Sequence, residues 1–390
     1  MKRLLALVVV ATGLVACSQS STATVPTGHG KLLAATKVAG VVPGATTYRI
    51  RYTSRARTGA AIEVTGLAVV PDTNAHDRVV FTLAHGTTGL ADACAPSHHP
   101  LSSEVRAVGL TAVANGWIVA ATDYAGLGTP GRHPYLVGVS EGRSVLDAAL
   151  AARQLPHANA GTKTLIAGYS QGGHAALWAN QLAATWAPSL HVVGTFAGAP
   201  ATELDRILEA GRTAPIQPFV LSIVGGFAAA YPKARPERYL TAAGLRLLKT
   251  VDRDCLGAVA AASSTTAPAD LVLPTGPTDP AWLTLARANN PGLVKGESPV
   301  LIVHSDQDDV VPVELSALLH TRMCAHGAIV ERRVIHAGGH VPAALPAFDA
   351  ANVWLQARLR GQPAKDDCES GYNPAGTAAA VAARRYTVSP

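Results

Sequence analysis

The feature that most narrows what this chain can fold into is Gly168-Tyr169-Ser170-Gln171-Gly172, set between an apolar run and a helical pattern. Residues 164–169 read as a short buried strand and 172–186 as a helix. A serine on so sharp a strand-to-helix turn takes a strained backbone, and the positions around it must lack bulk. Gly173 adds a third small residue. The hydroxyl then projects beyond the sheet edge, and the helix N-terminus behind it offers free N–H groups and a dipole suited to developing negative charge.

The rest of the chain supplies elements for such a turn to join. Strands are expected over 46–54, 60–71, 78–84, 117–122 and 192–197, and helices over 102–114 and 141–155. From 201 to about 295 the pattern is helical, with a polar Ser/Thr/Pro loop over 263–280 and no strand. Alternation resumes with a strand at 299–304, a helix at 313–324, a strand at 329–335 and a helix at 342–360. This order implies the α/β-hydrolase fold, a mainly parallel, doubly wound sheet with an inserted helical cap. The expected divisions are core over 41–200 and 297–362, cap over 201–296, and a C-terminal tail or flap over 363–390.

The N-terminus reads as an export signal. Lys2 and Arg3 precede an apolar run, Leu4 to Val15, that is too short to span a bilayer. Its end, Leu14-Val15-Ala16-Cys17, resembles the lipobox of bacterial lipoproteins. That resemblance implies cleavage before Cys17, lipidation of its thiol and a membrane-tethered envelope protein; the other reading is an ordinary signal, an incidental Cys17 and a secreted protein. Residues 1–17 are thus assigned to the signal and 18–40 to a flexible tether. Four cysteines remain, Cys94, Cys255, Cys324 and Cys368, an even number that fits two disulfides in an exported chain. None lies in a C-x-x-C pair, so neither a zinc site nor a redox motif is expected. The formal charge of +6 has no basic block behind it, which argues against a nucleic-acid partner.

A nucleophilic serine needs a base, and the base needs an orienting carboxylate, in the chain order serine, acid, histidine for this fold. The strand at 299–304 opens into Ser305-Asp306-Gln307-Asp308-Asp309, and the last strand into His336-Ala337-Gly338-Gly339-His340. Both loops fall past strand C-termini, where α/β sheets place their ligands. Asp306, Asp308 and Asp309 are all candidate acids. His340, on a loop freed by two glycines, is the expected base, and His336 a structural residue. The oxyanion donors are expected to be the backbone N–H of Gln171, directly after the serine, and of Thr87 in His85-Gly86-Thr87-Thr88-Gly89. Asp123-Tyr124 reads as scaffolding or pocket wall, and Phe227 and Tyr231 as pocket lining or core. His98-His99 lacks further ligands at metal-site spacing, and no metal or cofactor is expected.

With these residues in place, the chain resembles the secretory lipase family of the fungal lipase A type and its bacterial relatives. The resemblance rests on His85 to Ser97, Asp123 to Gly128, the Gly-Tyr-Ser-Gln-Gly-Gly run at Ser170, the acidic loop and His340, and covers roughly residues 40 to 370. It implies hydrolysis of carboxylic esters, acylglycerols among them, through an acyl-enzyme under a helical cap. The family's D-x-x-V-P pattern matches Asp308 with Val311 and Pro312, which favours Asp308 as the acid. The resemblance also implies the pairings Cys94 with Cys255 and Cys324 with Cys368. The expected partners are a lipid or small-molecule ester and, through Cys17, a membrane, for a chain acting as a monomer. A peptidase or amidase on the same residues, or a tethered binding lipoprotein without activity, are the rival readings.

Overall fold

A computed structural model describes residues 28–370. The signal at 1–17, Cys17, the tether up to residue 27 and the tail beyond residue 370 lie outside the described residues. Nine strands form one sheet: β1 (Leu32–Val38), β2 (Ala45–Arg55), β3 (Ala61–Pro71), β4 (Arg78–Ala84), β5 (Ile118–Thr122), β6 (Ala160–Tyr169), β7 (His191–Gly198), β8 (Val300–Ser305) and β9 (Val330–Ile335). Their spatial order is β1-β2-β3-β5-β4-β6-β7-β8-β9. Pairing is antiparallel from β1 through β3 to β5 and parallel from there to β9.

Parallel strands lie covered on both faces, so they read as continuous apolar runs. On β4, Val80 and Ala84 face one layer while Phe81 and Leu83 face the other. The first layer contains α2 (Gly138–Ala152) and α3 (Gln171–Trp186), and the opposite layer contains α1 (Glu104–Ala114) and α11 (Ala344–Leu359). α10 (Val313–Ala325) completes the first layer, with Leu319 and Met323 packed on Val300, Ile302 and Val330. Close approach of α2 to α3 depends on Gly138 and Gly142. A Cβ on Gly138 would strike the Trp178 ring, and one on Gly142 would lie 2.8 Å from the Trp178 carbonyl carbon.

Between β7 and β8 run α4 (Leu204–Ala210), α5 (Gln217–Ala230), α6 (Ala242–Leu248), α7 (Leu256–Ser263), α8 (Pro268–Leu271) and α9 (Pro280–Asn289). They share a separate apolar core around Phe227, Tyr239 and Trp282. Phe227 is fully buried there, stacked on Trp282, so of the two readings for this region Phe227 follows core packing. Two disulfides tie the layers together. Cys94–Cys255 joins the loop after β4 to the start of α7, and Cys324–Cys368 pins the chain's last described turn to α10.

One expectation fails. Residues 18–40 were assigned to a tether, but residues 32–38 form β1, an edge strand on β2. The chain is already docked before β1: His29 donates to the buried Asp147 carboxylate at 2.6 Å and stacks on Trp186. The strand escapes notice because it is half exposed, rich in Ala and Thr, and without alternation.

Replacing Cys324 and Cys368 by serine should lower unfolding free energy. The cysteines are 44 residues apart, and chain entropy puts the loss at about 4 kcal/mol. Urea titration of the double variant against the parent, both with the other disulfide intact, measures it.

Candidate active site

Ser170 caps α3 with φ 58° and ψ −121°, a region that side chains rarely occupy. The glycines around it are required by contact rather than by freedom. A Cβ on Gly168 would strike the Gly172 carbonyl, one on Gly172 would strike the Ala84 carbonyl, and one on Gly173 would lie 2.8 Å from Gly198 O. The serine's own N–H donates to Gly198 O, and its carbonyl accepts from His174 and Ala201. The strained turn is therefore held on both sides.

The three candidate carboxylates part company at the ends of β8 and β9. His340 Nδ1 donates to Asp308 Oδ2 at 2.6 Å. Asp308 Oδ1 accepts the N–H groups of Val310 and Val311, and His304 Nε2 stands 3.2 Å from Oδ2. Burial pushes the Asp308 carboxyl up, but hydrogen bonds from His304 and His340 and their charge outweigh it and hold it well below the usual carboxylate range. Asp309 accepts the backbone N–H of His340 at 2.8 Å, and Asp306 pairs with the exposed His336. Tyr169, next to the serine, donates its hydroxyl to His340 O at 2.7 Å and lays its ring against the imidazole.

Ser170 opens onto an apolar pocket lined by Ile207, Ile216, Phe219 and Ile223 from the β7–β8 insertion and by Val310 and Val311 from the acid loop. Among the described residues no hydrogen bond joins Ser170 to His340. Ser170 and the acid loop's Val310 and Val311 line that pocket, and His340 is tied to the loop through Asp308 and to the residue before the serine through Tyr169, its Nε2 not used in the Asp308 contact.

Neither the Thr87 N–H nor the Gln171 N–H has a protein acceptor among the described residues. Successive bonds orient the Thr87 amide. Tyr124 donates to His85 O at 2.9 Å, and His85 Nδ1 bonds Gly86 O at 2.6 Å. Because a trans peptide points its C=O and N–H in opposite directions, turning Gly86 O toward His85 turns the Thr87 N–H away from it. The Thr87 hydroxyl bonds Tyr135, and Thr88 O accepts from Leu256. Gly89 (φ +136°) passes so close to the disulfide that a Cβ would lie 2.8 Å from Cys94 Sγ. Tyr124 thus serves as scaffolding of this turn.

Sequence reasoning missed the residues beneath the serine. Glu141 on α2 is fully buried, and its Oε1 accepts from the Gln171 side chain at 2.7 Å and from the Leu136 N–H at 2.9 Å. Its Oε2 takes a 2.7 Å bond from His174 Nδ1, while His174 Nε2 donates to Asn289 O on α9. Burial pushes the Glu141 carboxyl up, but the hydrogen bond and Coulombic attraction of His174, with the Gln171 bond, hold it below its ordinary value. The Gln171 amide also reaches His133 Nε2, whose other nitrogen bonds Ala125 O. Burial lowers His133 to about 4, against the pull of Glu141, so it stays neutral and accepts the amide proton.

Three comparisons bear on this geometry. The chain matches the family model for secretory lipases over residues 106–267 and 289–367. A secreted triacylglycerol lipase of Malassezia globosa is 26% identical over 352 residues, covering 84% of this chain and 74% of that protein. The crystal structure of Candida antarctica lipase A superposes with a TM-score of 0.73 at 21% identity, over 87% of this chain and 84% of that one. A rice cell wall degrading esterase of Xanthomonas oryzae superposes with a TM-score of 0.70 at 17% identity, over 86% of this chain and all of the esterase.

A histidine held neutral in the fold gives a testable pH dependence. Between pH 6.5 and 4 the unfolded chain binds a proton at His133 that the folded state refuses, so stability falls as pH drops through that window. The slope from this group is about 1.4 kcal/mol per pH unit. His133→Asn should therefore lose about 2–3 kcal/mol less than the parent between pH 7 and pH 4.5 in urea titrations; equal losses would refute a neutral buried ring.

Proposed function

The chain belongs to the secretory lipase family, an α/β-hydrolase and a carboxylic ester hydrolase, and on that premise we propose that Ser170, His340 and Asp308 carry the reaction. The observation that supports this most directly is the 2.6 Å bond from His340 Nδ1 to Asp308 Oδ2 beside the serine's pocket. In the proposed sequence, Nε2 of His340 takes the Ser170 proton as the hydroxyl oxygen attacks the ester carbonyl. The N–H groups of Thr87 and Gln171 hold the oxyanion. Collapse returns the proton to the leaving alcohol and leaves an acyl-serine. Water, its proton taken by the same ring, then attacks the acyl carbon, and the acyl–oxygen bond breaks as the proton returns to Ser170 and the acid leaves. Asp308 fixes the tautomer and stabilises the imidazolium.

The apolar lining from Ile207, Ile216, Phe219 and Ile223 supports an apolar acyl group as substrate, with acylglycerols the leading class, and supports reading residues 201–296 as a cap. The relatives are secreted lipases, which supports export. Anchoring through Cys17 is the finer proposal and rests on residues 1–17. One lipid chain binds membranes only marginally, whereas two or more anchor stably.

An acyl series of p-nitrophenyl esters, with an anilide beside it, tests the activity. Turnover of esters and not of the anilide, abolished in Ser170→Ala, is expected; anilide cleavage at comparable rate would favour the peptidase reading. Asp308→Asn should lower kcat about 10⁴-fold by stranding the wrong tautomer, while Asp306→Asn, which touches only exposed His336, should stay near the parent. In cell fractions, the enzyme should follow membranes and be released by detergent rather than salt. Changing Cys17 to Ser should move it to a soluble or unprocessed form; a parent protein that is soluble and unlipidated would refute the anchor.

A further inference from the structure

Behind the turn that carries Thr87 sits a buried carboxyl to which none of the preceding chemistry gives a role. Glu104, first residue of α1, accepts the Gly86 N–H through Oε1 at 2.8 Å. Its Oε2 is buried and has no hydrogen-bond partner among the described residues. Its bond to Gly86 is therefore the hydrogen bond that the described residues give this carboxyl. A Cβ built on Gly86 would lie 3.1 Å from Glu104 Oε1 and 4.0 Å from Ser170 Cβ, so the carboxyl and the nucleophile's side chain both border Gly86.

The peptide joining His85 to Gly86 is gripped at both ends, its carbonyl by the Tyr124 hydroxyl and its N–H by Glu104. That plane determines where the next one begins, and the next peptide carries the Thr87 N–H. Resting on the reading of Thr87 as an oxyanion donor, we propose that Glu104 is the positioning residue of the oxyanion turn, acting on catalysis through the Gly86 amide. Burial pushes the Glu104 carboxyl above its ordinary value, against the Gly86 bond and the nearby His85.

The test compares Glu104→Ala, Glu104→Gln and Glu104→Met with the parent. Gln keeps a carbonyl acceptor for the Gly86 N–H; Met fills the space without one and carries the test if Ala does not fold. Removing an oxyanion donor outright costs about 10²–10³ in kcat, so a misaimed one should cost about 10–10². Ala and Met should show that loss with KM within about twofold, and a parallel loss of affinity for a trifluoromethyl ketone that forms the tetrahedral oxyanion adduct. Gln should stay within a few-fold of the parent. Unchanged kcat in Ala or Met overturns the proposal, as does a Gln variant that loses as much as Met, or a ketone affinity that does not follow kcat. Ester hydrolysis surviving in Ser170→Ala would instead count against the underlying assignment of the site.

Discussion

Much of this structure depends on how the Glu141 carboxylate is satisfied. Taking a carboxylate out of water costs several kcal/mol unless its oxygens are well bonded, and here both are. The donors come from three parts of the chain: the segment before α2, the first residue of α3 and His174 one turn further on. His174 passes the constraint to α9, whose Asn289 also bonds Gly138 and Tyr231. One buried charge thus fixes the helix behind the serine and docks the helical insertion onto it. The Gln171 side chain is tied down as a consequence, while its backbone N–H, the first of α3, has no intrahelical acceptor.

The opposite wall of the site is held by a different means. The turn from His85 to Thr88 is irregular, yet its first peptide is held by Tyr124 and Glu104, its second by the His85 ring, and Thr88 O by Leu256. Side chains from the β5 end and α1 hold its start, and the Cys94–Cys255 disulfide with the Gly89–Cys255 bridge holds its end to α7. Besides lining the pocket, the insertion therefore braces the site through Asn289 behind the serine and through Cys255 beside the turn. Preorganisation of this kind matters because donors already in place need not reorganise when charge develops.

How much of this was legible follows from the range of each signal. The elbow, the alternation of strands and helices, and the acid and base loops are local patterns, and all appear in the fold at or within a few residues of the expected positions. β1 was hidden because an edge strand with exposed Ala, Thr and Lys has no buried face to impose alternation. Glu141 was hidden for another reason. A lone acid in a helical pattern is normally a solvated one, and only tertiary packing reveals that α2 is buried along most of its length. Glu104 on α1 and His133 in the loop before α2 gain their partners only once the fold brings Gly86 and Gln171 to them. One signal was available: Gly138 and Gly142, four apart on the same helix as Glu141, mark a face where another element approaches closely.

The acidic loop shows why a motif can distinguish between neighbours that composition cannot. Asp306, Asp308 and Asp309 are chemically alike and lie within four positions of one another. Asp308 alone folds its own following residues around one oxygen, taking the N–H groups of Val310 and Val311 on Oδ1. That turn closes only if the second and third amides after Asp308 point back, and Pro312 then caps α10 without needing a donor. With Oδ1 committed, Oδ2 is left to face His340 and His304. Asp309, one residue on, has its Oδ1 on the His340 backbone, and Asp306, two residues back, reaches only an exposed ring. The spacing D-x-x-V-P thus leaves one carboxylate oxygen of Asp308 for His340, which supports the proposal of Asp308 among the three acids.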